Sequence, residues 1–389
     1  MATTLMNATI TQLVTITSDH LTTTHVLPTS PAIDNDKDVY ARFVYQDNIN
    51  VDPVAKVILV IFFIISMAWG NIGNIAVMGA ILVHRKLRQN IANTFIFNLA
   101  IADLCVTSFV DASYVIGNLD AAIFLRYPKF CTAAASICII SCTCSMWSIT
   151  IISVNRYIYI TKSTIYPLIF TRRNSLLLAA ALWLLCFFID FPNHVGLGDH
   201  IFDHKKLGCS FDRLGHYGYT VYFILLGVAT PLCLVLFSYT NVFLFVRDHQ
   251  RKIQAWRAEA NGENPKKIGD LKLLKTVFII FVVFLTCWTP YTVIVLSDIR
   301  DIYPYEIYVC AIILAHANSS MNSILYGITN THFRMGYKML LRKVTCGYLY
   351  ARTSDVEGTS TTEKTNTTGM GASSTRQEGN SSNIMPVVT

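Results

Sequence analysis

PKFCTAAASICIISCTCSMWSITIISVNRYIYI, residues 128–160, carries no charge between Lys129 and Arg156. A bilayer core is crossed by roughly 20 apolar residues in a helix, whereas a barrel strand needs only roughly 10. No backbone polar group stays unpaired in lipid, so a run of this length predicts a helix rather than a strand. The same reading extends outward to six further apolar blocks, near 56–83, 91–118, 174–192, 218–246, 271–298 and 304–328. Seven crossings put the two chain ends on opposite sides of the membrane. The composition agrees, because only 14% of the 389 residues are charged and 53% are hydrophobic, against roughly 25% charged in a soluble domain. Mean hydropathy is +0.44. These values exclude a disordered chain and argue against a soluble enzyme. The net charge of +7 is small and scattered, which does not suit a nucleic-acid partner.

Loop charges orient the bundle. His84-Arg85-Lys86-Leu87-Arg88 follows the first span, Arg172-Arg173 precedes the fourth, and Lys and Arg crowd the segment from Arg247 to Lys275. By the positive-inside rule these loops face the cytoplasm. The arm 1–55, with Asp34, Asp36, Asp38, Asp47 and Asp52, is then extracellular. It opens on a polar, Thr-rich stretch without a signal-peptide core, so the first span is expected to direct insertion. Asn7-Ala8-Thr9 is a glycosylation acceptor on that outer side. Residues 347–389 are rich in Ser, Thr, Gly and Asn and read as a disordered cytoplasmic tail, with phosphate acceptors around Thr359-Ser360-Thr361-Thr362.

Eight of the 11 cysteines (Cys105, Cys138, Cys142, Cys144, Cys186, Cys233, Cys287, Cys310) fall in apolar spans and read as small hydrophobes. Only Cys131 and Cys209 lie on the oxidising side, so they are expected to pair across the mouth of the bundle. Cys346 follows a basic amphipathic stretch and reads either as a palmitoylation site or as a free thiol. The spacings predict no zinc site.

Ionisable residues inside a span are costly and usually functional. Asp103 lies mid-span in Asn98-Leu99-Ala100-Ile101-Ala102-Asp103, with Asn74, Ser145, Asn318 and Asn322 at similar depth in other spans. Oxygen donors of this kind suit sodium rather than a transition metal. The alternative is a hydrogen-bonded network without an ion. Asn155-Arg156-Tyr157 ends the third span and Asp270 starts the sixth on the same side. Arg156 either snorkels to the interface or pairs with Asp270 and latches the two helices. Pro290, in Cys287-Trp288-Thr289-Pro290, predicts a kink in the sixth span, as Pro231 does in the fifth.

These residues at these spacings resemble the rhodopsin-like (class A) G-protein-coupled receptors. Gly73-Asn74, Asp103, Cys131, Arg156, Trp183, Pro231, Tyr239, Trp288, Pro290, Asn322 and Tyr326 each match a family marker, and the resemblance covers about 50–345. It implies an all-α seven-transmembrane bundle over 56–330, with a short amphipathic eighth helix over 331–346 opened by Phe333-Arg334. It also implies an allosteric sodium ion as the sole cofactor. Asn155, Arg156, Tyr157, Tyr239, Asp270, Trp288, Pro290 and Tyr326 would form the activation switch. The implied partners are a small extracellular ligand, a heterotrimeric G protein, and arrestin and receptor kinases at the Ser/Thr-rich tail. The implied location is the plasma membrane.

Two departures refine the resemblance. Asn155 replaces the usual Asp before Arg156, which removes a local restraint on the Arg. Ser323 replaces the usual Pro in Asn322-Ser323-Ile324-Leu325-Tyr326, so the seventh span should kink less. Melatonin-type receptors share both departures, and Pro192-Asn193, Cys209-Ser210-Phe211 and Tyr326-Gly327 also look like theirs. The pocket differs from theirs at Arg213, Gly227, Thr292 and His316. Where aminergic receptors have an Asp this chain has Cys138, and where opsins have a Lys it has His316, so neither a monoamine nor covalent retinal is implied. The upper bundle offers Asp111, Tyr114, Cys138, Asn193, Phe211, Arg213, Trp288, Tyr291 and His316 as ligand positions. Arg213 is expected to pair an anionic ligand group, and Asp111 to pair His316. A transporter or channel is the alternative function, but no internal repeat or string of pore charges supports it. No metal-ligand or nucleophile motif suggests an enzyme.

Overall fold

The computed structural model describes residues 52–260 and 270–358. The seven spans fold as helices: α1 Pro53–Val83, α2 Asn93–Leu119, α3 Pro128–Thr161 and α4 Arg172–Asp190, then α5 from Tyr217–Phe223 through Thr230–Ala260, α6 Asp270–Ser297 and α7 Tyr305–Thr329. An eighth, α8 Thr331–Gly358, follows. Asp52 caps α1 by accepting from Val54 N, and Pro53 occupies its first turn, where no N–H is missed. Thr171 caps α4 in the same way.

Burial ranks the helices. The apolar window of α3 is 67% buried and that of α1 only 22%, so α3 is the axis and α1 lies at the periphery. The apolar side chains that α1 leaves exposed, such as Ile61, Trp69 and Ile72, would destabilise a water-soluble protein but suit lipid. Trp183 of α4 donates its Nε1 to Asn98 Oδ1 at 2.9 Å, and Asn98 donates to Ser148 Oγ at 2.8 Å. Three helices are thereby stapled by one buried amide.

Two helices are interrupted by wide turns. In α5 a π segment, Ile224–Ala229, precedes Pro231, and the ring's missing N–H accounts for the broken ladder. In α2 the π segment Val106–Val110 contains neither Pro nor Gly. There Thr107 Oγ1 donates back to the Asp103 carbonyl at 3.0 Å and to Asn71 Oδ1 at 2.7 Å, so a hydroxyl competes for the helix's own acceptor. The helix α7 runs unbroken through Ser323, as the missing Pro predicts. A Cβ on Gly73 would overlap Ser323 Oγ, so glycine is what lets α1 approach this turn, and Asn74 Nδ2 donates to Ser319 O at 3.2 Å beside it.

One end of the bundle is covered by a β-hairpin, β1 His200–Asp203 and β2 Gly208–Phe211, paired antiparallel with His200 opposite Phe211. Cys209 is disulfide-bonded to Cys131 of α3, with Cα atoms 5.3 Å apart. This is the expected pairing, and it pins the hairpin over the helix ends.

At the opposite end α8 is longer than expected. It passes residue 346 and continues to Gly358, so the tail does not lose helical structure at 347. No proline interrupts this stretch, and one internal glycine, Gly347, does not stop a helix. Asn7 and the tail beyond 358 lie outside the described residues, as do the side chains of Asp270 and Cys346.

Candidate functional site

Beneath the hairpin lies a cavity of about 40 Å³ between α2, α3, α5, α6 and α7, room for only a few waters. Cys138, Phe211, Trp288, Tyr291 and His316 line it. These are five of the nine residues expected to contact a ligand. Tyr114 lines it as well. Its ring stacks on Phe63 at 5.0 Å and meets His316 edge-on at 4.9 Å.

Asp111 and His316 pair as expected. His316 Nδ1 and Asp111 Oδ1 are 2.6 Å apart, and both side chains are buried. The bond takes one ring nitrogen and fixes the imidazole plane, leaving the other edge for the cavity. Two polar atoms here have no partner among the described residues, Asp111 Oδ2 and Trp288 Nε1. An unpaired buried polar group costs about 1–3 kcal/mol, so an acceptor supplied from the cavity to Trp288 Nε1 would be stabilising; Asp111 itself does not line the cavity and lies behind His316.

Asn193 and Arg213 do not line the cavity. Asn193 donates to Asp190 Oδ1 at 3.2 Å, at the end of α4. Arg213 donates to the Asp298 carbonyl at 2.9 Å and is ion-paired to Asp301. Its charge is committed to binding one loop to another, so it is not available to pair an anionic ligand group. The cation near the cavity is instead Lys206. Its Nζ lies 3.0 Å from Asp203 Oδ2, 3.1 Å from Ser210 Oγ and 3.5 Å from Tyr291 OH. Lys205 completes the clamp, 2.6 Å from Asp301 and 3.4 Å from Asp298. Burial alone would raise the Asp203 carboxyl, but Lys206 and Arg213 beside it hold it below the ordinary carboxylate value. Burial likewise opposes the charge on Asp298, and hydrogen bonds from Tyr308, Tyr303 N and Ile302 N bring it below that value. Nothing in the order of residues distinguishes the buried Lys206 from an exposed loop lysine.

Deeper in the bundle, Asp103 is saturated. Ser145 donates to Oδ1 at 2.8 Å and Asn322 to Oδ2 at 2.7 Å. Ser319 also hydrogen-bonds the carboxylate. This Ser replaces Asn318 in the expected set. Asn318 is buried on the preceding residue of α7, but the carboxylate's described bonds go elsewhere.

At the end of α3 away from the hairpin, Arg156 is buried. Tyr239 of α5 and Tyr326 of α7 both lie within electrostatic range of its guanidinium. Tyr239 stacks on Phe281 of α6 at 5.4 Å, and Tyr326 on Phe333 of α8 at 5.0 Å. Asn155 donates to Tyr166 OH at 3.3 Å, so its amide ties the following loop rather than Arg156. Tyr157 meets Phe237 edge-on at 5.7 Å.

One helix, α3, thus carries the cavity wall near one end and a buried Arg among tyrosines near the other. The family model of the 7 transmembrane receptor (rhodopsin family) matches residues 73–326. The chain belongs to this family. It is a multi-pass membrane receptor of the G-protein-coupled class, not a transporter, channel or enzyme. Melatonin receptor type 1B of Homo sapiens is 30% identical over 288 residues, 72% of this chain and 76% of that protein. Melatonin receptor type 1A of Mus musculus is 29% identical over 277 residues, covering 69% and 76%. Squid rhodopsin shares the fold with a TM-score of 0.61 at 18% identity, over 87% of this chain and 98% of that one. Membership of the family brings ligand binding and G-protein coupling with it.

Proposed function

We propose that the chain is a plasma-membrane receptor with its N-terminus outside, which converts binding of a small ligand in the Trp288–His316 cavity into G-protein activation at the Arg156 end. The observation that carries this is the cavity itself. It is aromatic-walled, has an unpartnered donor at Trp288 Nε1, and is lined by His316, whose other side holds the buried Asp111. Aromatic walls and the free Trp288 N–H suit a flat aromatic molecule that carries a hydrogen-bond acceptor, and the cavity, which now has room for only a few waters, widens to admit it. The ligand acts by binding better to the form in which α6, kinked at Pro290, swings away from Arg156. Loss of the Tyr239–Phe281 stack accompanies that swing. Arrestin and receptor kinases engage the Ser/Thr-rich tail of the activated form.

Melatonin is the first molecule to try, because the relatives carry its name. The pocket differs from theirs at Gly227, which has no side chain to offer a ligand, and at His316, already held by Asp111. Asp103, Ser145, Ser319 and the amide oxygens of Asn318 and Asn322 are an all-oxygen set that fits sodium. When bound, the ion supplies a positive charge that holds the carboxylate ionised.

The test is G-protein activation in cells expressing the full chain, without and with melatonin, beside Arg156→Ala. Signalling that the variant loses supports the receptor reading, and a melatonin response lost with it adds the ligand. Signalling unchanged by Arg156→Ala would overturn the assignment of the transducer end.

A further inference from the structure

Where α4 ends, three metal-ligating groups converge outside the ligand cavity. Asp190 is the last residue of α4, His194 lies one turn on, and His200 opens β1. His200 Nε2 is 2.9 Å from Asp190 Oδ1, and His194 Nε2 is 3.1 Å from Oδ2. All three ligand atoms lie within 4.8 Å of one another.

We propose that Asp190, His194 and His200 form a binding site for a zinc ion. In a tetrahedral site with metal–ligand bonds of about 2.0–2.2 Å, neighbouring ligand atoms are about 3.3 Å apart, close to the two His–Asp separations here. Two imidazoles and one carboxylate are the donors zinc takes, whereas calcium and magnesium take oxygen alone. Three protein ligands leave a fourth position for water.

The surroundings suit the task. Asn193 Nδ2 donates to Asp190 Oδ1 at 3.2 Å, an outer partner that orients this ligand, while Ser136 Oγ of α3 lies 3.1 Å from His194 Nε2 itself, a hydroxyl the ion would displace. The Asp190 and His200 side chains are 0% and 1% exposed, while His194 is 38% exposed. The site is therefore built on the inside and open on one side, which gives the ion an entry path. Sequence spacing could not show it, because His200 arrives from the hairpin rather than from the helix that carries the other two.

The metal would act on the receptor through the hairpin. His200 is the strand partner of Phe211, and Phe211 lines the ligand cavity. An ion bridging β1 to α4 fixes the roof of that cavity and stiffens the path by which a ligand enters. This consequence rests on the receptor reading, but the site itself does not.

The test uses the purified full chain in lipid nanodiscs with its exposed thiols alkylated, and the metal alone as probe. Cobalt(II) should give the visible absorption of a tetrahedral site, and zinc should displace it. Zinc should also raise the melting temperature. His194→Ala, at a partly exposed position where folding is preserved, and His200→Ala should each weaken binding by more than the roughly 10–100-fold that losing an outer partner costs. His249→Ala, on the exposed part of α5, should bind as the parent does. A parent chain that shows neither the cobalt spectrum nor the zinc shift would overturn the proposal. So would retention of both in His194→Ala. Neither result bears on G-protein coupling, so failure of the metal site is distinguishable from failure of the receptor reading.

Discussion

Asp103 and Asp111 stand two helical turns apart on α2, both fully buried and both bonded to α7. Their partners set them apart. Asp103 has neutral donors on both oxygens, from Ser145 and Asn322, and it lies in the middle of the bundle. Asp111 has one titratable partner, His316, leaves Oδ2 unpaired, and lies beside the cavity. A saturated carboxylate among neutral groups holds helices in register or holds a small cation. A half-satisfied one beside a cavity is arranged for something that arrives. The same residue type on one helix thus serves two purposes, decided by what α3 and α7 place opposite it.

The largest way to break the comparison is at His316. Replacing it by Phe keeps the aromatic packing against Tyr114 and Phe63 but strands the Asp111 carboxylate. Removing one member of a buried ion pair costs about 3–5 kcal/mol, so the melting temperature of His316→Phe should fall well below the parent's. Adding Asp111→Asn should restore much of the loss. Equal melting of the single and double variants would show that the two residues are not coupled.

Asp103→Ala removes an acceptor from three donors, Ser145, Ser319 and Asn322, rather than a charge from its partner. Each donor left unpaired costs about 1–3 kcal/mol. Adding Asn322→Leu should recover little, because the Ser145 hydroxyl stays unpaired. Differential scanning fluorimetry reads both variants, and a full rescue here would erase the contrast between the two sites.

The charged clamp over the cavity offers a sharper, smaller test through pH. Asp203 and Asp298 are both held below the ordinary carboxylate value, which is about 4. A depressed carboxyl contributes stability that is fully present above its unfolded pKa and is lost as pH falls through its folded one. The clamp's contribution should therefore be flat between about pH 5 and 7 and fall away below about pH 4. Asp298→Asn should melt about 1–2 kcal/mol less stably at neutral pH and show a shallower acid limb. A parent chain that loses the clamp's contribution between pH 7 and 5 would place the titration on a histidine instead.

The seven crossings were legible because the bilayer imposes one length on every span, and the blocks read from residues 56–83 onward fall on the observed helices. The Cys131–Cys209 disulfide was legible because topology left those two cysteines together on one side. The Asp111–His316 pair was anticipated, since two ionisable groups buried in a bundle need each other. Arg213 and Asn193 were misplaced. Their side chains are taken by Asp301 and Asp190, partners that only the folded loops bring near. The same long-range pairing hid Lys206 and the Asp190–His194–His200 cluster. The π segment of α2 carries no Pro or Gly to announce it, because a single threonine hydroxyl makes it.

The most direct measurement of the two-carboxylate account is the sodium dependence of melting. The full chain, Asp103→Asn and Asp111→Asn would be compared in sodium chloride and in potassium chloride at equal ionic strength. A ligand bound only by the folded state raises its stability by mass action, so sodium should raise the melting temperature of the parent and of Asp111→Asn and leave Asp103→Asn unmoved. A sodium shift that persists in Asp103→Asn, or that disappears in Asp111→Asn, would contradict the division of labour between the two sites.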